Sequence, residues 1–289
     1  MNNLKTAALL AFLGALFVGV GYLFGGAQGG LWALGFAVVF NFAMYFFSDR
    51  IALAAAKARP IEPGTLPTVE SIVSSLAHRE SMPMPSLYVI DSAQANAFAT
   101  GRSPKKAAVA VTTGILELLD TRELEGVLAH ELAHVKNRDV LIATIAATIA
   151  AALSFLARIA FWGGMGGRRN DNNAAGAIVG LVAMILAPIA AMLIQMAISR
   201  YREFEADHDG AMATGSPLAL ASAMDKISQT TQRIPMNVNP AVSQLFIADP
   251  LKSFESGRNR RGTLSRMFST HPPVEDRIER LTQMASGIR

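Results

Sequence analysis

The chain has 289 residues, of which 51% are hydrophobic and 17% are charged. A soluble globular protein carries about 25% charged residues, so the low charge and the mean hydropathy of +0.32 favour a membrane protein. The apolar content excludes intrinsic disorder. The absence of cysteine excludes disulfides and thiolate metal sites, so any metal must bind to nitrogen and oxygen. We attribute the net charge of +4 to loops beside membrane spans and do not predict nucleic-acid binding.

Four apolar stretches predict helices that cross a membrane, since each is close to the roughly 20 residues that span a hydrocarbon core of about 30 Å. In chain order they are residues 6–24, 31–47, 140–157 and 174–198. The uncharged turn Gly25–Gly30 joins the first pair, and a Gly- and Asn-rich loop at 163–173 joins the second. The predicted fold is therefore mainly α, with four apolar helices in two hairpins at 1–49 and 140–198.

Basic residues predict how these hairpins are oriented. Arg50, Lys57 and Arg59 directly follow the second stretch, and because Lys and Arg accumulate on the cytoplasmic side, we expect the polar regions 50–139 and 199–289 in the cytoplasm. The basic loop of the second hairpin is a mild exception, which leaves open whether that hairpin crosses the bilayer fully. A cleaved secretory signal is the alternative for the first stretch, but that stretch is longer than a usual signal core and a second one follows closely.

The two polar regions predict short helices around a small β-sheet. Thr68 is predicted to cap a helix that has Glu70 in its first turn. Alternating apolar runs predict strands at Leu87–Ile90 and Ala107–Thr112, with a weaker third at Ala95–Thr100. Further helices are predicted from Thr121, from Ser216 and after Pro273, whereas residues 235–261 are predicted to be irregular.

The helix predicted from Thr121 carries an H-E-x-x-H pattern, formed by His130, Glu131 and His134. Histidines four residues apart lie on one face of a helix and can bind the same Zn²⁺ ion. Glu131 is rotated from His130 by about 100° and can lie beside the metal, where a carboxylate can take a proton from the metal-activated water. The alternative is two partly buried core histidines without a metal, which the pattern and its position in a predicted helix disfavour.

Carboxylates that follow the fourth apolar stretch offer the third ligand of such a site. If the helix continues past the membrane, Glu203 and Asp207 share one face and Glu205 points nearly opposite. Glu203 is then the candidate ligand, and Asp207 is placed to accept the free ring N–H of a ligand histidine and so to fix its tautomer. The alternative is a charged rim at the membrane interface, in which Arg200 and Arg202 meet lipid phosphates and Glu203 pairs with Arg200.

With these motifs the chain resembles HtpX-type membrane zinc metalloproteases, which are similar in their catalytic core to the CAAX prenyl proteases. The resemblance rests on the H-E-x-x-H pattern, on the E-x-x-A-D element at 203–207, and on the segments 96–101 and 269–273. It covers nearly the whole chain. It implies a zincin-like cytoplasmic catalytic domain made from 50–139 and 199–289, with one Zn²⁺ per chain.

The resemblance also implies a function and further site residues. The implied protein is a multi-pass endopeptidase of the inner (plasma) membrane, which degrades misfolded or damaged membrane proteins in stress-related quality control and can cut itself. Asn96, Ala97 and Phe98 are implied to bind substrate on an edge strand through main-chain hydrogen bonds. His271 is implied to be catalytic, as a donor to the oxyanion. Alternatively, Asn96 is a turn residue and His271 anchors the turn before the last helix.

Two alternative functions are compatible with the sequence. One is a narrow processing protease for lipidated peptides. The other is a non-catalytic membrane scaffold with a structural metal, which would need a closed four-ligand site with His208 as the nearest spare ligand. His208 and His78 are otherwise interpreted as surface histidines. The expected partners are unfolded or membrane-protein polypeptides and the lipid bilayer.

Overall fold

The computed structural model describes residues 2–145, 200–251 and 272–287. These residues form a mainly helical fold with one small mixed sheet, as predicted. Most of the third and fourth apolar stretches lies outside the described residues, as does His271. The helices are α1 (Asn2–Ala55), α2 (Pro67–Arg79), α3 (Thr113–Leu118), α4 (Thr121–Lys136), α5 (Arg200–Thr214), α6 (Pro217–Arg233) and α7 (Val274–Ala285). The strands are β1 (Arg59–Pro60), β2 (Ser86–Ile90), β3 (Ala97–Gly101) and β4 (Ala107–Thr112).

The long helix α1 is interrupted within the turn predicted at Gly25–Gly30. Gly25 and Gly26 leave helical backbone geometry, and Gly26 has a φ of 57°, which suits a residue without a Cβ. The chain then folds back on itself, because the Asn41 side chain donates to the Leu10 carbonyl at 2.9 Å. The rings of Phe17 and Phe36 also meet, with centroids 5.2 Å apart. The two arms of α1 therefore pack antiparallel.

The second arm of α1 exposes an extensive apolar surface. Residues Gly25–Ala55 are long and apolar enough to cross a membrane, with a mean hydropathy of 1.7 over a window that is only 17% buried. Within the described ranges, this is the one helix that meets that description. Its exposed side chains include Trp32 at 74% and Val39 at 68%. Large contiguous apolar surfaces of this kind mark membrane or protein contacts.

Strand β3 lies at one edge of the sheet, beside the helices. The strand order of the sheet is β1-β2-β4-β3, with β2 and β4 parallel and the other pairs antiparallel. The three predicted strands correspond to β2, β3 and β4, whereas the two-residue strand β1 was not predicted. Because β3 pairs with β4 on one side only, its other edge is directed toward neighbouring segments of the chain.

One predicted helix start differs from the structure. Thr68 is not the cap of α2, because the helix begins at Pro67 and Leu66 precedes it without a side-chain cap. Proline suits the first turn of a helix, where its missing N–H would have no partner. The Glu70 carboxylate instead accepts the N–H of Gly64 at 2.9 Å, so it fixes the loop before the helix.

Helix α4 lies at the centre of the domain and packs against α2, α5, α6 and β3. Its first turn is closed by a capping box between Asp120 and Glu123. Two glycines let neighbouring helices approach closely. A Cβ on Gly210 of α5 would lie 2.8 Å from the His130 nitrogen, and one on Gly126 would lie 3.2 Å from Leu220 of α6. The close approach at Gly210 brings α5 against the histidine-bearing part of α4.

Glu123 ties the start of α4 to α6, and we expect Glu123→Gln to destabilise the protein. Its carboxylate accepts hydrogen bonds from Lys226 Nζ and Ser222 Oγ, each at 2.7 Å, and from the Asp120 N–H at 3.0 Å. Burial acts to raise the pKa of Glu123, but these hydrogen bonds outweigh it and hold the pKa below its ordinary 4.5. The variant should lose about 1–3 kcal/mol of unfolding free energy at pH 7.

The pH dependence of this loss follows from the direction of the shift. A lowered pKa in the folded state stabilises above the unfolded pKa, and the contribution disappears as the pH falls through the folded pKa. The difference between parent and variant should therefore shrink below pH 4.5. Denaturant unfolding of the full chain in detergent, followed by circular dichroism at pH 7 and at the lower pH, measures this difference in stability. Glu117→Gln, at an exposed position of α3, is the control, and equal stability of all three proteins at pH 7 would contradict the expectation.

Candidate active site

Helices α4 and α5 bring the three predicted metal ligands together. His130, His134 and Glu203 each offer a ligand atom, and these atoms lie within 4.8 Å of one another. His134 Nε2 lies 3.4 Å from Glu203 Oε1, the spacing of two tetrahedral ligands that are each about 2.0–2.1 Å from a zinc ion. Both His130 and Glu203 are buried, at 1% and 7% exposure. The donor set, two imidazoles and one carboxylate, is therefore suited to zinc.

The electrostatics of the cluster also suit a cation. Burial acts to lower the pKa of His134, but hydrogen bonds to Asp139 and Glu203 and the charges of Glu203 and Glu131 outweigh it and raise the pKa to about 10. The carboxylates therefore stabilise positive charge at this position. Burial lowers the pKa of His130 to about 4, which keeps that imidazole neutral, as a metal ligand must be.

Carboxylates orient both histidine rings. Asp207 Oδ1 lies 2.9 Å from His130 Nδ1, so Asp207 contacts a ligand histidine as expected from the sequence. Asp139 Oδ2 lies 3.4 Å from His134 Nδ1 in the same way, a contact that was not predicted. The sequence feature that could have indicated this contact is an acidic residue five positions after His134. Such partners fix the tautomer and the direction of the other ring nitrogen.

Arg202 does not lie at an exposed membrane rim, which was the alternative interpretation of this segment. Only 8% of the residue is exposed, and its Nη1 lies 3.6 Å from Asp139 Oδ1. It therefore faces the domain interior, on the far side of the carboxylate that contacts His134.

Glu131 lies beside the ligands and against the sheet. It lines the same pocket as His130, His134 and Glu203, and it is 3% exposed. Burial raises its pKa to about 8, although the charge of His134 and a hydrogen bond from the Ala99 N–H act in the opposite direction. A carboxylate with this pKa exchanges a proton readily near neutral pH.

Arg277 of α7 completes the polar interior and was not found from the sequence. Its Nε and Nη2 donate to the two oxygens of Asp207 at 2.8 and 2.6 Å, and its Nη1 lies 3.5 Å from Glu203 Oε2. The side chain is 3% exposed, and the two carboxylates raise its pKa further above the ordinary value despite burial. The sequence feature that could have indicated this role is that Arg277 stands four positions before Leu281, on the apolar face of the predicted helix.

The predicted substrate residues contact another part of the chain, the segment 244–250, which we term the strap. Asn96 donates through Nδ2 to the Ala248 carbonyl at 2.7 Å and accepts the Ala248 N–H at 3.3 Å. The Phe98 ring packs on Phe246, with centroids 4.9 Å apart, and both rings are fully buried. In this conformation Asn96 and Phe98 therefore hold the strap against β3.

The strap also occupies the free edge of β3. The Ile247 N–H donates to the Ala97 carbonyl at 2.9 Å, and the Ala99 N–H is taken by Glu131. Strap residues 244–247 line the pocket together with the metal-ligand candidates. An incoming peptide strand cannot pair with these main-chain groups until the strap and Glu131 release them.

Two histidines on one helix and a carboxylate on a second, beside a buried glutamate, are the arrangement expected of a metallopeptidase site of the zincin type. Residues 63–285 match Peptidase family M48, and the chain belongs to that family. The resemblance drawn from the motifs is thereby confirmed, as are the predictions of an enzyme, of a protease and of a membrane protein.

The similarity to known proteins extends over nearly the whole chain. A protein named Protease HtpX homolog from Thermodesulfovibrio yellowstonii is 50% identical over 287 residues, which are 99% of each chain. Another of that name, from Ralstonia pickettii, is 49% identical over 98% of this chain and 97% of its own. The crystal structure of S. mikatae Ste24p has a similar fold, with a TM-score of 0.50 and 19% identity. That match covers 97% of this chain but only 65% of the Ste24p chain.

Proposed function

We propose that the chain is a zinc-dependent endopeptidase of the inner (plasma) membrane that hydrolyses peptide bonds of misfolded or damaged membrane proteins. The observation that carries the proposal is the cluster of His130, His134 and Glu203, whose ligand atoms lie within 4.8 Å of one another beside Glu131. A bound Zn²⁺ would polarise the attacking water and the scissile carbonyl. Bacterial relatives named Protease HtpX homolog support the same activity.

Glu131 would move the proton in this reaction. Its carboxylate would accept the proton of the attacking water and later deliver it to the leaving amine. The positive charge of a bound Zn²⁺ would oppose the effect of burial on the Glu131 pKa and favour the ionised form that accepts a proton. Asp207 and Asp139 keep the imidazoles in place, and Arg277 holds Asp207 through two hydrogen bonds. Groups held in place in this way before the reaction would need little reorganisation during the proton transfer.

Substrates would reach the site from the membrane, as an extended segment. The pocket is lined in part by Val140 and Ala143 of the third apolar stretch. Thr144 of that stretch contacts Thr100 of β3 at 3.0 Å between the hydroxyl oxygens. A peptide could pair with the outer edge of β3 through Ala97 and Ala99 after displacement of the strap. In this proposal Asn96 and Phe98 shape the edge, and Ala97 forms the main-chain contact.

The proposed orientation places the active site in the cytoplasm. Arg50, Lys57 and Arg59 follow the apolar arm of α1 directly, as expected for residues on the cytoplasmic side. The proposed arrangement is multi-pass, with hairpins at 1–49 and 140–198 and the catalytic domain in two parts at 50–139 and 199–289.

Zinc content and chelator-sensitive proteolysis test the proposal. The purified chain should hold one zinc and cleave an unfolded membrane protein until a chelator removes the metal. Loss of a residue that only hydrogen-bonds to a metal ligand weakens metal binding by about 10- to 100-fold. Glu203→Gln removes a proposed ligand and should weaken zinc binding by more than that. Glu205→Gln, on the exposed side of α5, is the matched control and should retain the metal.

Two results would contradict this function. If Glu203→Gln bound zinc as tightly as the parent, Glu203 would not be the third ligand. Stoichiometric zinc without proteolysis would favour the scaffold. His208, the spare ligand that a closed scaffold site would need, is 63% exposed and its Nδ1 lies 3.5 Å from Asp209, so it does not join the cluster. Selective cleavage of a prenylated peptide instead of the unfolded protein would support the narrow processing activity.

A further inference from the structure

We propose that Arg102 and Arg138 form a binding site for the phosphate headgroup of an anionic lipid, where the catalytic domain meets the membrane. This site is separate from the metal cluster, and it goes beyond the proposed peptidase activity. It rests on the contact of Arg102 with the end of one apolar segment and on the position of Arg138 at the start of another.

Arg102 reaches the exposed apolar surface of α1 just before Asp49 and Arg50. It directly follows β3, and its Nη1 donates to the Phe46 carbonyl at 3.1 Å. The guanidinium group also lies over the Phe46 ring, 4.8 Å from its centroid. Phe46 precedes Arg50 by four residues, or about 6 Å along a helix. The Arg102 head therefore lies about one helical turn closer to the apolar arm than Arg50, the first basic residue after that arm.

Arg138 stands at the start of the third apolar stretch. It immediately precedes the helical residues 139–145 and is exposed. Its φ of 59° is in the left-handed region, which is unfavourable for a residue with a long side chain. In the parts of the chain that the structure describes, no carboxylate forms an ion pair with Arg138. Its charge is therefore available to a ligand from the membrane or from solution.

The two arginines line one concavity. Arg102, Ser103 and Arg138 border it, with Leu141 on the side of the third apolar stretch. Its interior, about 10 Å³, has room for about one water molecule, so a phosphate group would lie across its opening between the two arginines. Lys105 and Lys106 lie in the same short turn after β3 and add positive charge. The forked donors of arginine match phosphate oxygens. A phosphodiester bound here could lay its acyl chains along the exposed apolar surface near Phe46, which a free phosphate could not do.

Native mass spectrometry of the full-length protein in detergent tests the site. Phosphatidylglycerol and phosphatidylcholine are added in turn, and the bound lipid is counted. Each basic residue near a membrane surface strengthens the binding of anionic lipid. The double variant Arg102→Gln/Arg138→Gln loses two such residues and should therefore bind phosphatidylglycerol about 30-fold more weakly. Phosphatidylcholine binding should not change. The same charge loss in Arg122→Gln/Arg233→Gln, at two exposed positions elsewhere, should leave the lipid preference of the parent intact.

Further variants and a competing anion distinguish a lipid site from a site for any phosphate. Arg102→Lys/Arg138→Lys keeps both charges and should still prefer phosphatidylglycerol. Binding is compared at a temperature at which circular dichroism shows every variant to be folded, because Arg102 also contacts Phe46. The proposal is overturned if the glutamine variant binds phosphatidylglycerol as the parent does, or if the control variant loses as much. It is also overturned if millimolar inorganic phosphate displaces phosphatidylglycerol, because the site would then recognise a free anion.

Discussion

Glu131→Gln is expected to reduce peptide hydrolysis by about 10²- to 10⁴-fold, the contribution of a positioned general acid–base group. Glutamine has nearly the same shape and can still accept the Ala99 N–H, but it cannot take a proton from water. Because Glu131 is not among the three ligand candidates, the variant should keep its zinc. The measurement is the cleavage rate of an unfolded membrane protein, together with the zinc content of the same preparation.

Glu117→Gln is the matched control for this experiment, because it makes the same chemical change at an exposed position. It should cleave at the parental rate. A Glu131→Gln variant that cleaves as fast as the parent would refute the proposed role of this carboxylate. A variant that loses zinc along with activity would show instead that Glu131 holds the metal.

Arg277→Gln is expected to cause the largest loss of stability. The substitution leaves the buried carboxylates of Asp207 and Glu203 without the cation that lies 2.6 and 3.5 Å away. Removing one partner of a buried ion pair costs about 3–5 kcal/mol, because the remaining charge stays buried and uncompensated. Thermal unfolding of the metal-free protein in detergent measures the effect.

The response of this variant to metal distinguishes a structural from an electrostatic cause. A divalent ion at the cluster supplies positive charge close to the same carboxylates, so zinc should recover more stability in Arg277→Gln than in the parent. Arg280→Gln changes an arginine on the exposed side of the same helix, whose guanidinium stacks 3.7 Å from the Phe204 ring centroid. Its expected loss is about 1 kcal/mol or less. An equal zinc response in all three proteins would contradict an electrostatic cause.

The parts of the site that sequence reasoning reached depend on local geometry. Histidines at positions 130 and 134 share a face because a helix repeats every 3.6 residues, and the same repeat separates Glu203 from Glu205. The strand predictions succeeded for a similar reason, since alternation along a few residues is a local property. The predicted cap of α2, Thr68, was wrong by two residues, because Pro67 and Thr68 both carry start signals and the cap is Leu66.

The contacts that were missed join distant parts of the chain. Arg277 lies 70 residues from Asp207, and Asn96 lies 152 residues from Ala248. A sequence pattern gives the face on which a residue stands but not the element that packs against that face. Asn96 illustrates the limit, because an amide suited to hold a bound peptide instead binds the carbonyl and N–H of the protein's own strap.

If substrates pair with β3 as proposed, the strap also affects which polypeptides are cut. A tethered segment that already pairs with Ala97 competes with every incoming chain at a high effective concentration, of millimolar order for short connections. A protein whose strands and helices are intact has no free main-chain groups with which to compete. A chain that has lost its structure offers many such groups at once, so in the proposed binding mode it would displace the strap more readily than a folded protein would, without any recognition of side chains.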